Sequence, residues 1–242
     1  MPATGNNMTT GYVEKYRISI QVFLNGYSYK ITDTDGRTVS EKDFCEIEEL
    51  YSSRIFSYPY KEYRISYRTH RCTLIPAGLM PDTENADKDK VLRNLLAEYD
   101  RPEENEKVEC ARITPADAVL VYAIPGEGSP LRAILSSLPS DCRPFPEMYW
   151  MLEELYGLPC HNRVIASYRD SLLSLAIAED GKLLLCNSFN AQDFTTAMYF
   201  IFSALKQFQI NPEVTTIYFR ENLGHDQEML LYRYFSGVEI LK

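Results

Sequence analysis

The sequence predicts an α/β protein with mixed sheets, made by tandem duplication of one strand-strand-strand-helix-strand-helix-strand unit. Three observations carry that prediction. Apolar and polar residues alternate over hairpin-sized segments early in the chain, and short apolar strand-like runs return from residue 164. Helical periodicity follows each set of three strands. Asp35-Gly36 and Asp180-Gly181 lie 145 positions apart, and Asp43-Phe44 and Asp193-Phe194 lie 150 apart, so similar landmarks return in one order.

In the first half, Ile18, Ile20, Val22 and Leu24 alternate with Arg17, Ser19 and Gln21, the period of a half-buried strand. Asn25-Gly26 is a hairpin signal and predicts a type I′ turn. Residues 27–33 return as a second strand, Asp35-Gly36 turns the chain again, and residues 37–39 give a short third strand. Ser40 as cap, Asp43 three places on, and Phe44, Ile47 and Leu50 at helical spacing predict a helix ending near Ser53. A long strand is expected over 63–75, broken by Pro76 and Pro81. An acidic loop reaching Asp87 then leads into an amphipathic helix marked by Val91, Leu92, Leu95, Leu96 and Tyr99. Residues 100–107 read as a charged loop, 108–113 and 118–124 as a strand pair, and 131–138 as a short helix. Pro139, Pro144 and Pro146 mark a boundary at 140–146, bridged by a helix at 147–156.

The first pattern then returns. Strands are expected at 164–168, 172–178 and 183–186, separated by Arg169-Asp170-Ser171 and by Asp180-Gly181. Aligned on their Asp-Phe pairs, the two halves place Asn190 where Ser40 stands, as a second helix cap, with an insertion in or after the third strand. The following helix has the strongest periodicity in the chain: Phe194, Ala197, Met198, Ile201, Phe202, Leu205 and Phe208 share one stripe. Tyr199 and Phe200 flank the stripe, widening the apolar arc, and are candidate interface residues. A strand at 214–220, a helix at 226–235 and a strand at 238–241 complete the half. The domains expected are 12–140, a connecting helix in 141–158, and 159–242.

Three antiparallel strands followed by alternating helices and parallel strands resemble the ribonuclease-H-like fold, and two tandem copies resemble the plan of the actin-like ATPase superfamily. Particular landmarks draw the likeness closer: Leu74-Ile75-Pro76 with Leu79-Met80, the run from Val119 to Pro125, Asn187-Ser188-Phe189, Asp193-Phe194 with Tyr199, and Leu205 with Phe208 ahead of Tyr218. From about Tyr12 to Lys242 the chain resembles an uncharacterised Bacteroidetes-type bacterial family, a domain of unknown function grouped with those ATPases. That resemblance implies the fold and no assigned activity.

Composition excludes several functions. The formal net charge of −9 repels phosphate backbones and anionic lipid, so neither nucleic acid nor a membrane surface is an expected partner. No apolar run is long enough for a membrane span, and the opening MPATGNNMTTG lacks the regions of a secretory signal. Six cysteines without a CxxC pair read as reduced thiols, which with the missing signal gives a cytoplasmic expectation.

The resemblance implies a nucleotide held between two glycine-rich hairpins whose amides approach its phosphates. Here the first hairpin has Asn25-Gly26, with Leu24 where an acid is expected, and the second has Asp170-Ser171 and no glycine. Asn25, Gly26, Asp170 and Ser171 are thus the candidate ligand-facing residues. Side chains at these tips should resist the positive φ that brings an amide to a phosphate. The adenosine-side glycine pair is reduced to Gly224. Asp193 reads as a helix cap, and Pro125-Gly126-Glu127-Gly128 lacks the lysine of a P-loop. His70, His161 and His225 are far apart and have no ligand spacing, so no metal, cofactor or catalytic residue is expected. The expected function is a catalytically silent, pseudo-enzyme module that binds a protein partner or itself. A divergent ATPase or phosphotransferase and a self-assembling actin-like protein are the alternatives. Tyr51, Tyr58, Tyr60, Tyr63 and Tyr67 read first as packing and second as a recognition surface.

Overall fold

The computed structural model describes residues 15–81 and 87–241. The readings of the opening eleven residues and of the acidic loop at 82–86 lie outside them. Compactness divides the chain into two units: residues up to Arg68 with 105–107 and 124–146, and residues 69–104, 108–123 and 147–242.

The first unit is built on β1 (Arg17–Val22), β2 (Gly26–Thr32), β3 (Thr38–Glu46), β4 (Glu62–Tyr67) and, after the segment belonging to the second unit, α2 (Pro130–Ser136) and β8 (Pro144–Pro146). The sheet order is β3-β2-β1-β4-β8, with β1 antiparallel to β2 and parallel to β4. Alternation decides its faces: Ile18, Ile20 and Val22 are buried while Arg17 and Ser19 are exposed. Tyr27, Ile31, Leu50, Phe56, Ile65, Leu131 and Ile134 are buried as well, and the Tyr27 ring meets Phe56 edge-on at 5.5 Å.

Two expectations fail in this unit. Residues 40–46, read as the start of a helix, continue β3, and only short 3-10 turns follow at Ile47–Tyr51 and Arg54–Ser57. Pairing of β3 along β2 satisfies more backbone groups than an isolated two-turn helix would, and Glu41, Lys42 and Asp43 suit an exposed edge strand. The long strand expected at 63–75 is two strands in different sheets, β4 and β5 (Cys72–Pro76). The proline-marked boundary contains β8, whose prolines are tolerated because it is an edge pairing with β4 alone.

The second unit holds two sheets. The smaller has the order β5-β7-β6, from β5, β6 (Lys107–Ile113) and β7 (Ala118–Ile124), and carries α1 (Lys88–Ala97). Its core is Leu92, Leu96, Val108, Val119, Val121 and Ala123. The larger is formed by β9 (Asn162–Arg169), β10 (Leu172–Glu179), β11 (Lys182–Asn190), β12 (Thr216–Phe219) and β13 (Gly237–Ile240), in the order β11-β10-β9-β12-β13. Helix α3 (Glu147–Gly157) packs on β9 and β10, burying Met148, Met151, Leu152 and Leu155. Helix α4 (Phe194–Gln207) and α5 (His225–Leu231) join the core of Val164, Ala166, Leu173, Leu175, Ile177, Ala197, Met198, Ile201, Ile217 and Leu231. Strands β9 and β10 carry continuous buried runs because both faces of this sheet are covered.

The two five-stranded sheets share one order and one set of strand directions. This is the duplication, on a different alignment from the Asp-Phe pairs. The offset of 145 holds at Gly36 and Gly181, both with left-handed φ, whereas Asp43 lies in β3 and Asp193 caps α4. Asn190, expected as the cap, is the last residue of β11. Among the described residues no helix is long and apolar enough to cross a membrane.

Candidate functional site

The hairpin tips reverse the sequence expectation. In the first unit the Phe23 amide donates to the Gly26 carbonyl at 2.8 Å, so Leu24 and Asn25 are the central residues, and neither has positive φ. The predicted type I′ turn is therefore absent, because Gly26 belongs to β2. A Cβ at Gly26 would stand 2.3 Å from the Cys45 carbonyl oxygen and 2.8 Å from the Phe44 ring. That glycine serves the close approach of β3. Leu24, 73 % exposed, and Asn25 point the tip into solvent.

In the second unit the turn without glycine is the left-handed one. Asp170 and Ser171 have φ of 53° and 59°, the geometry of a type I′ turn joining β9 to β10. The expectation that their side chains forbid positive φ is overturned. Two short polar residues accept it because the ladders on either side fix the turn; the Ser171 carbonyl also accepts the Ala191 amide at 2.8 Å. Both residues are exposed at the tip.

Just before that turn lies a polar cluster the sequence reading missed. Ser167, fully buried, ends the apolar run of β9, and its hydroxyl lies 2.8 Å from Glu147 Oε1 and 3.2 Å from Glu221 Oε1. Glu221 Oε1 also accepts the Tyr168 amide. Glu147, 2 % exposed, is the first residue of α3, and Glu221 follows β12 by two residues. The Arg220 Nε lies 3.0 Å from Glu154 Oε2 and its Nη1 3.9 Å from Glu147 Oε1, so the guanidinium offsets part of the acidity. Strands β9 and β12 are parallel, which puts Tyr168 and Glu221 at the carboxyl ends of neighbouring parallel strands, where open α/β sheets place ligands. In this chain an internal carboxylate takes the amide there. A polar residue inside the run from Val164 and an acid just after β12 were the sequence signals.

Asp193 caps α4 by accepting the Thr196 amide at 2.7 Å, and that backbone bond holds its carboxyl below the usual range. The Tyr168 hydroxyl donates to the Ala191 carbonyl at 3.2 Å; burial raises its pKa, helped by the Asp193 charge. His70 pairs with Asp100 at 3.0 Å, and His161 lies 3.9 Å from Glu179. Tyr199 is 67 % exposed, and Phe200 stacks on Phe189 at 4.8 Å. Of the tyrosines near β4, Tyr60 and Tyr67 are buried and the Tyr63 hydroxyl donates to the Tyr58 carbonyl, so packing accounts for most of them.

Comparison with solved structures gives the fold. A Bacteroides thetaiotaomicron protein with actin-like ATPase fold and unknown function is similar over 97 % of this chain and 93 % of its own, with TM-score 0.72 and 19 % identity. A PilM-PilN type IV pilus biogenesis complex is similar over 96 % and 89 %, with TM-score 0.51 and 12 % identity. The cytoplasmic domain of EpsL, an inner-membrane component of the Vibrio cholerae type II secretion system, follows with TM-score 0.48, 11 % identity and coverage of 87 % and 84 %. No curated protein sequence matches the chain. The first of these likenesses and the paired five-stranded sheets establish an actin-like ATPase fold. Over residues 5–238 the chain matches the model described as protein of unknown function (DUF3822), and it belongs to that family.

Proposed function

We propose that this chain is a catalytically silent actin-like module of the cytoplasm that works by binding a protein. One observation carries the reading: at the carboxyl ends of β9 and β12, Glu221 occupies the Tyr168 amide and Glu147 stands beside Ser167. An arriving phosphate would meet two carboxylates where it needs donors. The solvent-facing tip at Leu24 and Asn25 supports the same conclusion. On this reading residues 12–140 and 159–242 are duplicated halves joined through 141–158, and none of Asn25, Gly26, Asp170 or Ser171 holds a nucleotide. Tyr199 and Phe200 then supply the contact surface, since an exposed tyrosine beside stacked aromatics suits a partner better than solvent. A neighbour solved within a pilus biogenesis complex is in keeping with a role in assembly.

The test is a thermal-shift titration with millimolar MgATP joined to a phosphate-release assay. No shift and no release are expected. A clear shift with turnover that Asp170→Ala abolishes rejects the proposal in favour of a divergent ATPase or phosphotransferase. Light scattering across concentrations separates a protein partner from self-assembly: a constant monomer mass removes the latter.

A further inference from the structure

We infer that two copies of this chain pair through α4, antiparallel about a two-fold axis at Tyr199. The inference rests on the protein-binding reading above and names a second copy as the protein bound. Charge selects the face. The chain carries 34 acidic residues against 25 basic ones, so most approaches of one copy to another are repulsive. Between Asp193 and Glu213 there is no carboxylate, and that stretch holds the whole of α4. On this helix Thr195, Tyr199, Ser203 and Lys206 are exposed and recur at steps of four and three, one row along its outer side.

Tyr199 is 67 % exposed, yet it stands among fixed rings. Its own ring meets Phe200 at 5.6 Å, Phe200 stacks on Phe189, and on the other flank Phe202 meets Tyr234 at 4.9 Å. Rings already held by their neighbours lose little freedom on association. Thr195 and Ser203, one turn to either side of Tyr199, are short, which leaves room for a second tyrosine beside the first.

The row is complementary to itself in one direction only. Asp193, exposed at the start of α4, lies six residues before Tyr199, and Lys206, exposed in its last turn, lies seven after it. In an antiparallel pair centred on Tyr199 each Lys206 therefore faces the other copy's Asp193, and the two helix dipoles oppose each other favourably. A parallel pair would set Asp193 on Asp193 and Lys206 on Lys206.

Sedimentation equilibrium of the full chain, run from about 1 to about 200 µM to span a modest interface, tests the pairing. The mass should rise with concentration and stop at two copies. Tyr199→Glu should raise the dimer Kd more than about tenfold, as loss of a central aromatic anchor does. Lys206→Glu should raise it on the order of tenfold by setting an acid against Asp193; adding Asp193→Asn should recover most of that loss, because asparagine keeps the helix cap and removes the charge. Tyr51→Glu, at a position 83 % exposed on the first unit, should change nothing. All four are surface substitutions, and circular dichroism checks that each variant is folded. A constant monomer mass overturns the pairing, while the MgATP titration decides the silent-module reading independently. A dimer unmoved by Tyr199→Glu overturns the assignment to α4. A Lys206→Glu loss that Asp193→Asn does not relieve overturns the antiparallel register, and growth past two copies overturns the two-fold axis.

Discussion

Gly26→Ala separates two accounts of the first hairpin. If the glycine served a phosphate, alanine would cost affinity and little stability. The structure gives the opposite answer, since the new Cβ would lie 2.3 Å from the Cys45 carbonyl oxygen and 2.8 and 2.9 Å from two Phe44 ring atoms. The Phe44 side chain, 42 % exposed, can swing away. The carbonyl cannot move alone, because it belongs to β3, which pairs with β2 at Gly26–Glu46 and Tyr27–Cys45. Ordinary contact near 3.4 Å requires a displacement of about 1 Å, enough to disrupt that end of the ladder. Overpacking of this kind costs about 2 kcal/mol. For a chain of this size that lowers Tm by roughly 4–8 °C. Urea unfolding followed by circular dichroism, alongside calorimetry, measures it. A variant within about 0.5 kcal/mol of the parent, the range of neutral surface changes, would refute the close-approach argument.

Three further outcomes follow from the same reasoning. Ser171→Gly should stabilise the protein by about 0.5–1 kcal/mol, because glycine accepts the observed φ of 59° without steric cost, and a lower Tm would contradict the turn geometry. Leu175→Ala, at a fully buried position in the main core, should cost about 3 kcal/mol in urea unfolding, and a loss under about 1 kcal/mol would mean the site collapses around the cavity. Asp193→Ala should destabilise α4 near neutral pH. The folded Asp193 carboxyl is held below its unfolded value, so its stabilisation is complete above the ordinary carboxylate range and fades as pH falls through the depressed value. Parent and variant stabilities should therefore converge in acid, and a gap that persists at the lowest pH would rule out the cap as its source.

The local signals that proved legible were those where one interaction decides the outcome. Alternation in β1 foretold a half-buried strand, and the apolar runs of β9 and β10 were legible as strands, which the structure covers on both faces. The stripe of α4 and the cap at Asp193 were readable because a helix advertises its buried face and its first turn. The paired Asp-Gly turns carried the duplication, which with the resemblance pointed to the fold.

Tertiary structure decided whatever depended on a neighbour distant in sequence. Residues 40–46 have helical spacing, yet β2 offers them a ladder, and pairing outweighs a marginal local preference. Gly26 looks like a turn residue until the Cys45 carbonyl is seen against it. Asp170 and Ser171 look unsuited to left-handed φ until the strands on either side impose it. The meeting of Glu147, Ser167 and Glu221, 20 and 54 positions apart along the chain, is likewise a product of folding alone. Periodicity records which face of a segment is apolar; it holds no record of which backbone group will come to rest against it.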